Sequence, residues 1–191
     1  ATNGAGIARF KNGSFDLFGS NQGFGSDLIR SLFIEPNSDP GHYTLWVGSE
    51  DQGLFRLDIL DGEPDLKSIT RYGPSHGMLD YVVHVILMDD EQNFWFNTNR
   101  GIFKVEKKEL EAFHTGEISS ISGIAYTEND GLRNREGNGG IQPAGIRASD
   151  GTLWFPGQDG VTRVDPDDMT ANLAVPPIIV EELSTLEKNH Q

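Results

Sequence analysis

Thr44-Leu45-Trp46-Val47-Gly48-Ser49, followed shortly by Gly53-Leu54-Phe55-Arg56, is the stretch of sequence that decides the fold, because the chain contains this pattern three times. The second copy lies at residues 93–104 and the third at residues 152–163. The 191 residues include 3 tryptophans, and all of them hold the same place in the pattern: Trp46, Trp95 and Trp154. Repeats of about 40 to 50 residues built from short strands are typical of β-propeller blades.

The repeat predicts an all-β chain that forms a partial β-propeller of about three to four blades, each a four-stranded antiparallel sheet, as a fragment of a larger propeller. Residues 2–9 align with residues 49–56, so we expect the chain to start inside a blade. The predicted units are a partial blade of two outer strands at 1–20, blades at 21–75 and 76–130, and a blade lacking its outer strand at 131–170.

Apolar segments separated by turn residues predict the strands inside each unit. In the unit at 76–130, strands are expected at 81–88, 94–98 and 101–106, with a looser fourth segment between 111 and 126. In the last unit, residues 141–148 are expected to form the first strand. Asp150-Gly151 then predicts a type I′ hairpin turn, which needs positive φ at both central residues.

The tryptophans and the glycines of the repeat are interpreted as structural. A tryptophan at the same strand position in every repeat is expected to fill the space between adjacent blades, and a role in stacking on a ligand is the weaker alternative. Gly53, Gly101 and Gly160 are expected to serve the backbone geometry that follows the second strand.

Composition excludes some classes of function. The formal net charge is −14, with 29 acidic and 15 basic residues. The negative electrostatic field of such a chain repels nucleic-acid backbones and anionic lipid head groups. No apolar run approaches the roughly 18 residues that a membrane helix needs. Cysteine is absent, which fits an exported bacterial protein and many cytosolic proteins. Neither a nucleic-acid partner nor a cofactor is expected.

A longer string carries a family resemblance. Residues 131–145, Gly-Leu-Arg-Asn-Arg-Glu-Gly-Asn-Gly-Gly-Ile-Gln-Pro-Ala-Gly, run into the third tryptophan pattern. Together they resemble the final repeat of the two-component regulator propeller, found in the sensory part of bacterial hybrid histidine kinases and some diguanylate cyclases. Gly137 stands where that family often has a cysteine. Pro176 to Leu183 looks like the first strand of the Ig-like domain that follows such propellers, which makes 171–191 a linker and the start of that domain.

The resemblance implies a function. It implies the C-terminal part of a seven-bladed, extracytoplasmic sensor, periplasmic in location, that binds a small molecule such as an oligosaccharide and signals to a cytoplasmic kinase or cyclase. The output machinery is not part of these residues, so the chain itself is not expected to be an enzyme. Its expected partners are the ligand and either the remaining blades of the parent protein or another copy of the chain.

Candidate ligand-binding residues lie in the loops between second and third strands and in the connections between blades, because these loops open on one face. Their amides, carboxylates and guanidinium groups suit sugar hydroxyls or carboxylates. The candidates are His76, Asn97, Asn99, Arg100, Arg133, Arg135, Glu136, Asn138, Gln142, Gln158 and Asp159. Polar residues of this kind are also common at any solvated loop tip.

Two alternative functions remain open on the sequence: a propeller lyase or hydrolase acting on a polysaccharide or cyclic peptide, and a protein-interaction scaffold. No catalytic constellation or metal-ligand spacing is visible among the histidines. His84 lies in an apolar run and is interpreted as a satisfied interior histidine, while Asp89-Asp90 and Asp167-Asp168 are interpreted as solvated turn residues.

Overall fold

The structure is a computed structural model and describes residues 1–36 and 39–169; the expected linker and Ig-like segment at 171–191 lies outside the described residues. Within them, thirteen strands form four antiparallel sheets. The half-blade contains β1 (Ile7–Lys11) and β2 (Ser14–Phe18), and the first blade contains β3 (Ile29–Pro36), β4 (His42–Ser49), β5 (Leu54–Leu60) and β6 (Glu63–Tyr72). The second blade contains β7 (Val85–Met88), β8 (Asn93–Thr98), β9 (Gly101–Glu106) and β10 (Ile124–Tyr126). The third blade contains β11 (Ile146–Arg147), β12 (Leu153–Gly157) and β13 (Gly160–Val164).

The sheets are meanders that stand side by side. In each of them the strands follow one another in chain order, and the first strands of the three blades, β3, β7 and β11, are neighbours in space. Radial sheets whose innermost strands surround a common axis are the arrangement of a β-propeller. The expected all-β, partial propeller is therefore confirmed.

One helix interrupts the second blade. α1 (Lys107–Thr115) stands between β9 and β10, where the sequence indicated only a looser segment, and its lysines, glutamates, leucine and alanine are good helix formers. It ends at Gly116, whose φ of 80° is left-handed. His114 reaches back to the first blade, where its Nε2 lies 3.0 Å from Nη1 of Arg56, and burial lowers the pKa of His114. The helix thus ties two blades together at their outer side.

Two strands are shorter than expected. The segment 81–88 becomes a strand only from Val85, because the backbone before it pairs with the first blade: Gly53 donates to the carbonyl of Tyr81 over 2.7 Å, and Val83 donates to that of Ser49 over 2.8 Å. The segment 141–148 contributes only Ile146–Arg147 to the third blade. Contacts between blades, which no local pattern reveals, therefore set these boundaries.

The predicted type I′ turn at Asp150-Gly151 is wrong. Only Gly151 has positive φ there, 86°. The pairing of β11 with β12 places Arg147 opposite Leu153, so the loop between these strands is longer than two residues. A loop of this kind ends in one left-handed residue. Two-residue loops with positive φ at both positions occur instead at Asn12-Gly13 and Asp61-Gly62.

The core lies between the sheets. In every interface, one face of a blade packs on the opposite face of the next, and the first two tryptophans lie in these interfaces. Trp46 of the first blade lies 4.8 Å from Phe94 of the second between ring centroids, and both are 0% exposed. Trp95 is also 0% exposed, whereas Trp154 is 37% exposed because no further described sheet follows the third blade.

Each tryptophan has a basic residue opposite it on the third strand of its blade. The pairs are Trp46 with Arg56, Trp95 with Lys104 and Trp154 with Arg163. The Nζ atom of Lys104 lies 5.1 Å from the Trp95 ring centroid, within range of a cation–π interaction.

Each indole N–H finds an oxygen acceptor near the hairpin of its own blade: Glu35 at 3.1 Å, Asp89 at 2.8 Å and Thr152 at 3.0 Å. The expectation that Asp89 is a solvated turn residue is therefore wrong. Asp89 is 4% exposed and also accepts from the backbone and side-chain nitrogens of Asn93, while Asp90 beside it is exposed. Burial of Asp89 follows from the need of Trp95 for an acceptor.

Candidate ligand-binding face

The loops between second and third strands and the connections between blades leave the sheets at one end, because antiparallel strands alternate in direction. We call this end the loop face. It comprises the loops at 50–53, 99–100 and 158–159 and the connections at 19–28, 73–84 and 127–145. All the candidate residues from the sequence lie on it or at its border.

The three connections share a design that the sequence analysis missed. Each makes one turn of 3-10 helix and then a left-handed glycine, Gly23, Gly77 or Gly131, with φ of 85°, 96° and 100°. An apolar residue follows each glycine and packs against an interface core: Phe24, Met78 and Leu132. The sequence contains a signal of this shared design, because Gly23, Gly77 and Gly131 recur at equal spacing along the chain.

The inner part of the loop face surrounds the first strands. Asn97 is 3% exposed, and its Nδ2 donates to the carbonyl of Pro156 over 2.9 Å, so this candidate joins the second blade to the third. Asn138 donates its backbone N–H to the same carbonyl over 2.9 Å. Gln142 donates from Nε2 to the carbonyl of Arg30 over 2.8 Å and thereby reaches the first blade. Three blades therefore meet around the connection at 127–145.

His84 is buried in this inner part, with 7% of its surface exposed. Its Nε2 lies 2.7 Å from Oδ1 of Asn99, whose backbone N–H donates to Asp80 over 3.1 Å. Its Nδ1 has no hydrogen-bond partner among residues 1–36 and 39–169 and faces Gly139, where any side chain would collide with the imidazole ring. His84 is interior, as expected, but only one of its two nitrogens is satisfied.

The outer part of the loop face forms a cavity of about 400 Å³. Arg133, Asn134 and Asp159 line it together with residues 160–163 of β13. The Nδ2 of Asn134 donates to Oδ2 of Asp159 over 3.1 Å, which holds this wall in place. Arg133 and Asp159 were expected in the site, and the structure brings them together.

The backbone around this cavity is held by short-range hydrogen bonds. Glu136 donates its N–H to Oδ1 of Asn134 over 2.9 Å, and Gln158 donates its own to the carbonyl of Glu136 over 3.3 Å. Arg135 donates its backbone N–H to Oε1 of Glu128 over 3.1 Å, and N–H groups of Glu128 and Arg135 hold the pKa of Glu128 below its usual range. The backbone is thus held at Arg135 and Glu136, and the side chains of Arg133, Arg135 and Glu136 are exposed.

Two candidates lie apart from the rest. His76 accepts from the N–H of Gly73 through Nδ1 at 3.2 Å, and its ring lies 5.1 Å from that of Phe113. Arg100 donates to the carbonyl of Leu79 over 3.4 Å. Both belong to the boundary between the first and second blades. Arg30 and Glu50, an ion pair on the inner part of the loop face, had not been singled out together.

The described residues were also compared with the requirements of a metal site and of a membrane-spanning helix. In the described part of the chain, no three His, Cys, Asp or Glu side chains are grouped so that they could hold a metal ion. No helix within 1–36 and 39–169 is long and apolar enough to cross a membrane.

The chain matches no protein-family model and no curated protein. Two crystal structures of the extracellular domain of BT4673 from B. thetaiotaomicron match it, each with a TM-score of 0.59. This chain shares its fold with part of that domain. The identities are 18% and 19%, over 89% and 88% of this chain and 22% and 21% of the matched chains. The chain thus spans about a fifth of the proteins it matches.

BT4673 is classed as a one-component system in one of these structures and as a hybrid two-component system in the other. The expected resemblance to the sensor propellers of hybrid systems is therefore confirmed at the level of the fold. PorZ, a surface component of the type-IX secretion system of Porphyromonas gingivalis, matches with a TM-score of 0.45 and 18% identity, over 70% of this chain and 17% of its own.

Proposed function

We propose that the chain is part of the extracytoplasmic, ligand-sensing propeller of a bacterial signal-transduction receptor, with a periplasmic location. The observation that carries this proposal is the shared fold with the extracellular domain of BT4673 over 89% of the chain. The parent receptor would bind a small molecule such as an oligosaccharide and pass the signal to a cytoplasmic kinase or cyclase. Signalling, and not catalysis, is the role proposed for these residues.

The outer part of the loop face supports ligand binding. Arg133 and Arg135 are exposed and stand two residues apart, and the backbone N–H of Arg135 is already held by Glu128, so little backbone entropy is lost when the Arg135 side chain engages a ligand. A guanidinium group offers paired donors to hydroxyl or carboxylate oxygens. Asp159, held by Asn134, supplies an acceptor in the cavity that Arg133 lines. The cavity of about 400 Å³ falls within the range of small-molecule sites.

A panel of neutral and uronic-acid oligosaccharides is expected to contain a compound that raises the Tm of the 191-residue chain. A ligand at about 100 times its Kd stabilises the folded state by about 2.7 kcal/mol, which is easily read in a thermal-shift assay. The double variant Arg133→Ala/Arg135→Ala should lose the shift while keeping its ligand-free Tm, because both side chains are exposed.

The matched control is Arg147→Ala, since Arg147 pairs with Asp90 at the opposite end of the sheets. This variant should keep the ligand-induced shift. A panel without any stabilising compound would overturn the carbohydrate proposal, and a shift that survives in the double variant would overturn the placement of the site at the outer part of the loop face.

A further inference from the structure

His114 joins the end of α1 to two neighbouring strands of the first blade. Its Nε2 lies 3.0 Å from Nη1 of Arg56 on β5, and its Nδ1 lies 2.6 Å from Oγ1 of Thr70 on β6. Arg56 and Thr70 stand opposite each other in the sheet, so one imidazole ring bridges the pair. We call the contact of Arg56, Thr70 and His114 the blade latch.

The chemistry of arginine fixes the protonation state of the blade latch. A guanidinium group only donates hydrogen bonds, so Nε2 of His114 accepts in its contact with Arg56. The proton of the neutral ring is then on Nδ1, which donates to Thr70. The Arg56 side chain is 13% exposed, and its Nε has no hydrogen-bond partner among residues 1–36 and 39–169. The guanidinium therefore relies on a neutral His114 as an acceptor.

The groups around His114 favour its neutral form. The charged and titratable ones are Arg56 and Asp58 of β5, Tyr72 of β6 and Glu111 of α1. Tyr72 stays uncharged, because burial raises the pKa of its hydroxyl. Asp58 is already paired with Arg56 at 3.1 Å, and Glu111 is exposed. Burial, and then the positive charge of Arg56, lower the pKa of His114 by more than the two carboxylates raise it.

The end of α1 also holds the connection at 73–84 of the loop face. The ring of Phe113, next to His114, lies 5.1 Å from the ring of His76. Beyond the helix, Ile121 donates its N–H to the carbonyl of His76 over 2.9 Å. The blade latch is thus the outer end of a chain of contacts that reaches the loop face.

We propose that the blade latch is a pH-sensitive switch between the first and second blades. Neutral His114 holds the last turn of α1 on the first blade. Protonated His114 no longer accepts from Arg56 and places a second positive charge beside the guanidinium, so the last turn of α1 leaves the first blade. The connection at 73–84 then loses its packing on Phe113. The switch depends neither on the proposed ligand nor on the cavity that Arg133 lines.

The direction of the pH effect follows from the lowered pKa. The folded chain takes up this proton less readily than the unfolded chain, so the blade latch stabilises the fold fully above the ordinary pKa of 6.5. Its contribution is lost as the pH falls through the lower pKa of the folded state.

Hydrogen exchange measured by mass spectrometry at about pH 8 and about pH 5 tests the switch, because histidines titrate in this range. After correction for the intrinsic pH dependence of exchange, segments 107–123 and 73–80 should exchange about threefold faster or more at the lower pH. Segment 153–164 of the third blade should keep its corrected rate, which separates local release from global unfolding.

Three variants separate the charge of His114 from other effects of acid. In His114→Gln, the amide accepts from Arg56 and donates to Thr70 without titrating, so exchange should stay slow at both pH values. His114→Lys carries a positive charge at both, so exchange should be fast at both. His42→Gln is the matched control, because His42 lies in the first blade away from α1 and should leave the pH response unchanged.

The wild-type chain and His114→Gln decide the question even if His114→Lys does not fold. Equal corrected rates in the wild-type chain at the two pH values would overturn the proposal, as would a pH response in His114→Gln as large as that of the wild type. Faster exchange of 107–123 without any change in 73–80 would overturn the coupling of the blade latch to the loop face.

Discussion

Replacing Trp95 by alanine is expected to lower the free energy of unfolding by about 3 to 5 kcal/mol, the range for truncating a large buried aromatic residue. Trp95 is 0% exposed, its ring stacks on Tyr126 with centroids 5.6 Å apart, and its N–H donates to Asp89 over 2.8 Å. Alanine would open a cavity between the second and third blades and remove the indole donor from a buried carboxylate. Urea denaturation monitored by circular dichroism measures the loss.

The third tryptophan supplies the control. Trp154 holds the same strand position as Trp95, but it is 37% exposed and its N–H donates to Thr152 within its own hairpin. Trp154→Ala should therefore cost about 1 kcal/mol. Similar losses in the two variants would mean that burial between blades does not distinguish them.

Replacing Asp89 by alanine is expected to cost about 3 kcal/mol or more, because several buried donors lose one acceptor together. Its carboxylate accepts from the backbone N–H of Asn93 at 2.8 Å, from Nδ2 of Asn93 at 2.9 Å and from the indole of Trp95 at 2.8 Å. At 4% exposure, little water can take its place. Chemical denaturation of the variant measures the effect.

Asp90 is the natural comparison, since it is adjacent in sequence. Its side chain is exposed and forms a surface ion pair with Arg147 at 2.5 Å. Such pairs contribute about 0 to 1 kcal/mol, so Asp90→Ala should be nearly neutral. A large loss for Asp90→Ala, or a small one for Asp89→Ala, would contradict the role assigned to the buried carboxylate.

The aspartate pair also shows where sequence reasoning reaches its limit. The hairpin at 89–93 is rich in polar residues, which correctly indicated a turn, and strands β8 and β9 followed from the repeated tryptophan pattern. Burial of Asp89 depends on the indole six residues later, whose acceptor is fixed only when the strands fold. Local patterns reveal the strand, and tertiary packing decides which turn residue is buried.

The candidate site shows the same division. The order of strands predicts that the polar loops share one face, which groups Arg133 with Asp159, and the two residues line one cavity. The separation of His76 from that group depends on its contact with Phe113 of α1, a helix that has no counterpart in the described part of the other repeats. The unpaired Nδ1 of His84 results from the approach of Gly139 from the next connection, a long-range contact that no local pattern encodes.

A double-mutant cycle between Trp46 and Phe94 tests the central claim most directly, namely that the tryptophans of the first and second blades pack on the blade that follows. The two rings belong to different sheets and lie 4.8 Å apart between centroids. With Trp46→Leu, Phe94→Leu and the double variant, we expect a coupling free energy of about 0.5 to 1.5 kcal/mol. Stability losses that add to within about 0.3 kcal/mol would mean that the rings do not interact and would contradict the stacking of blades described here.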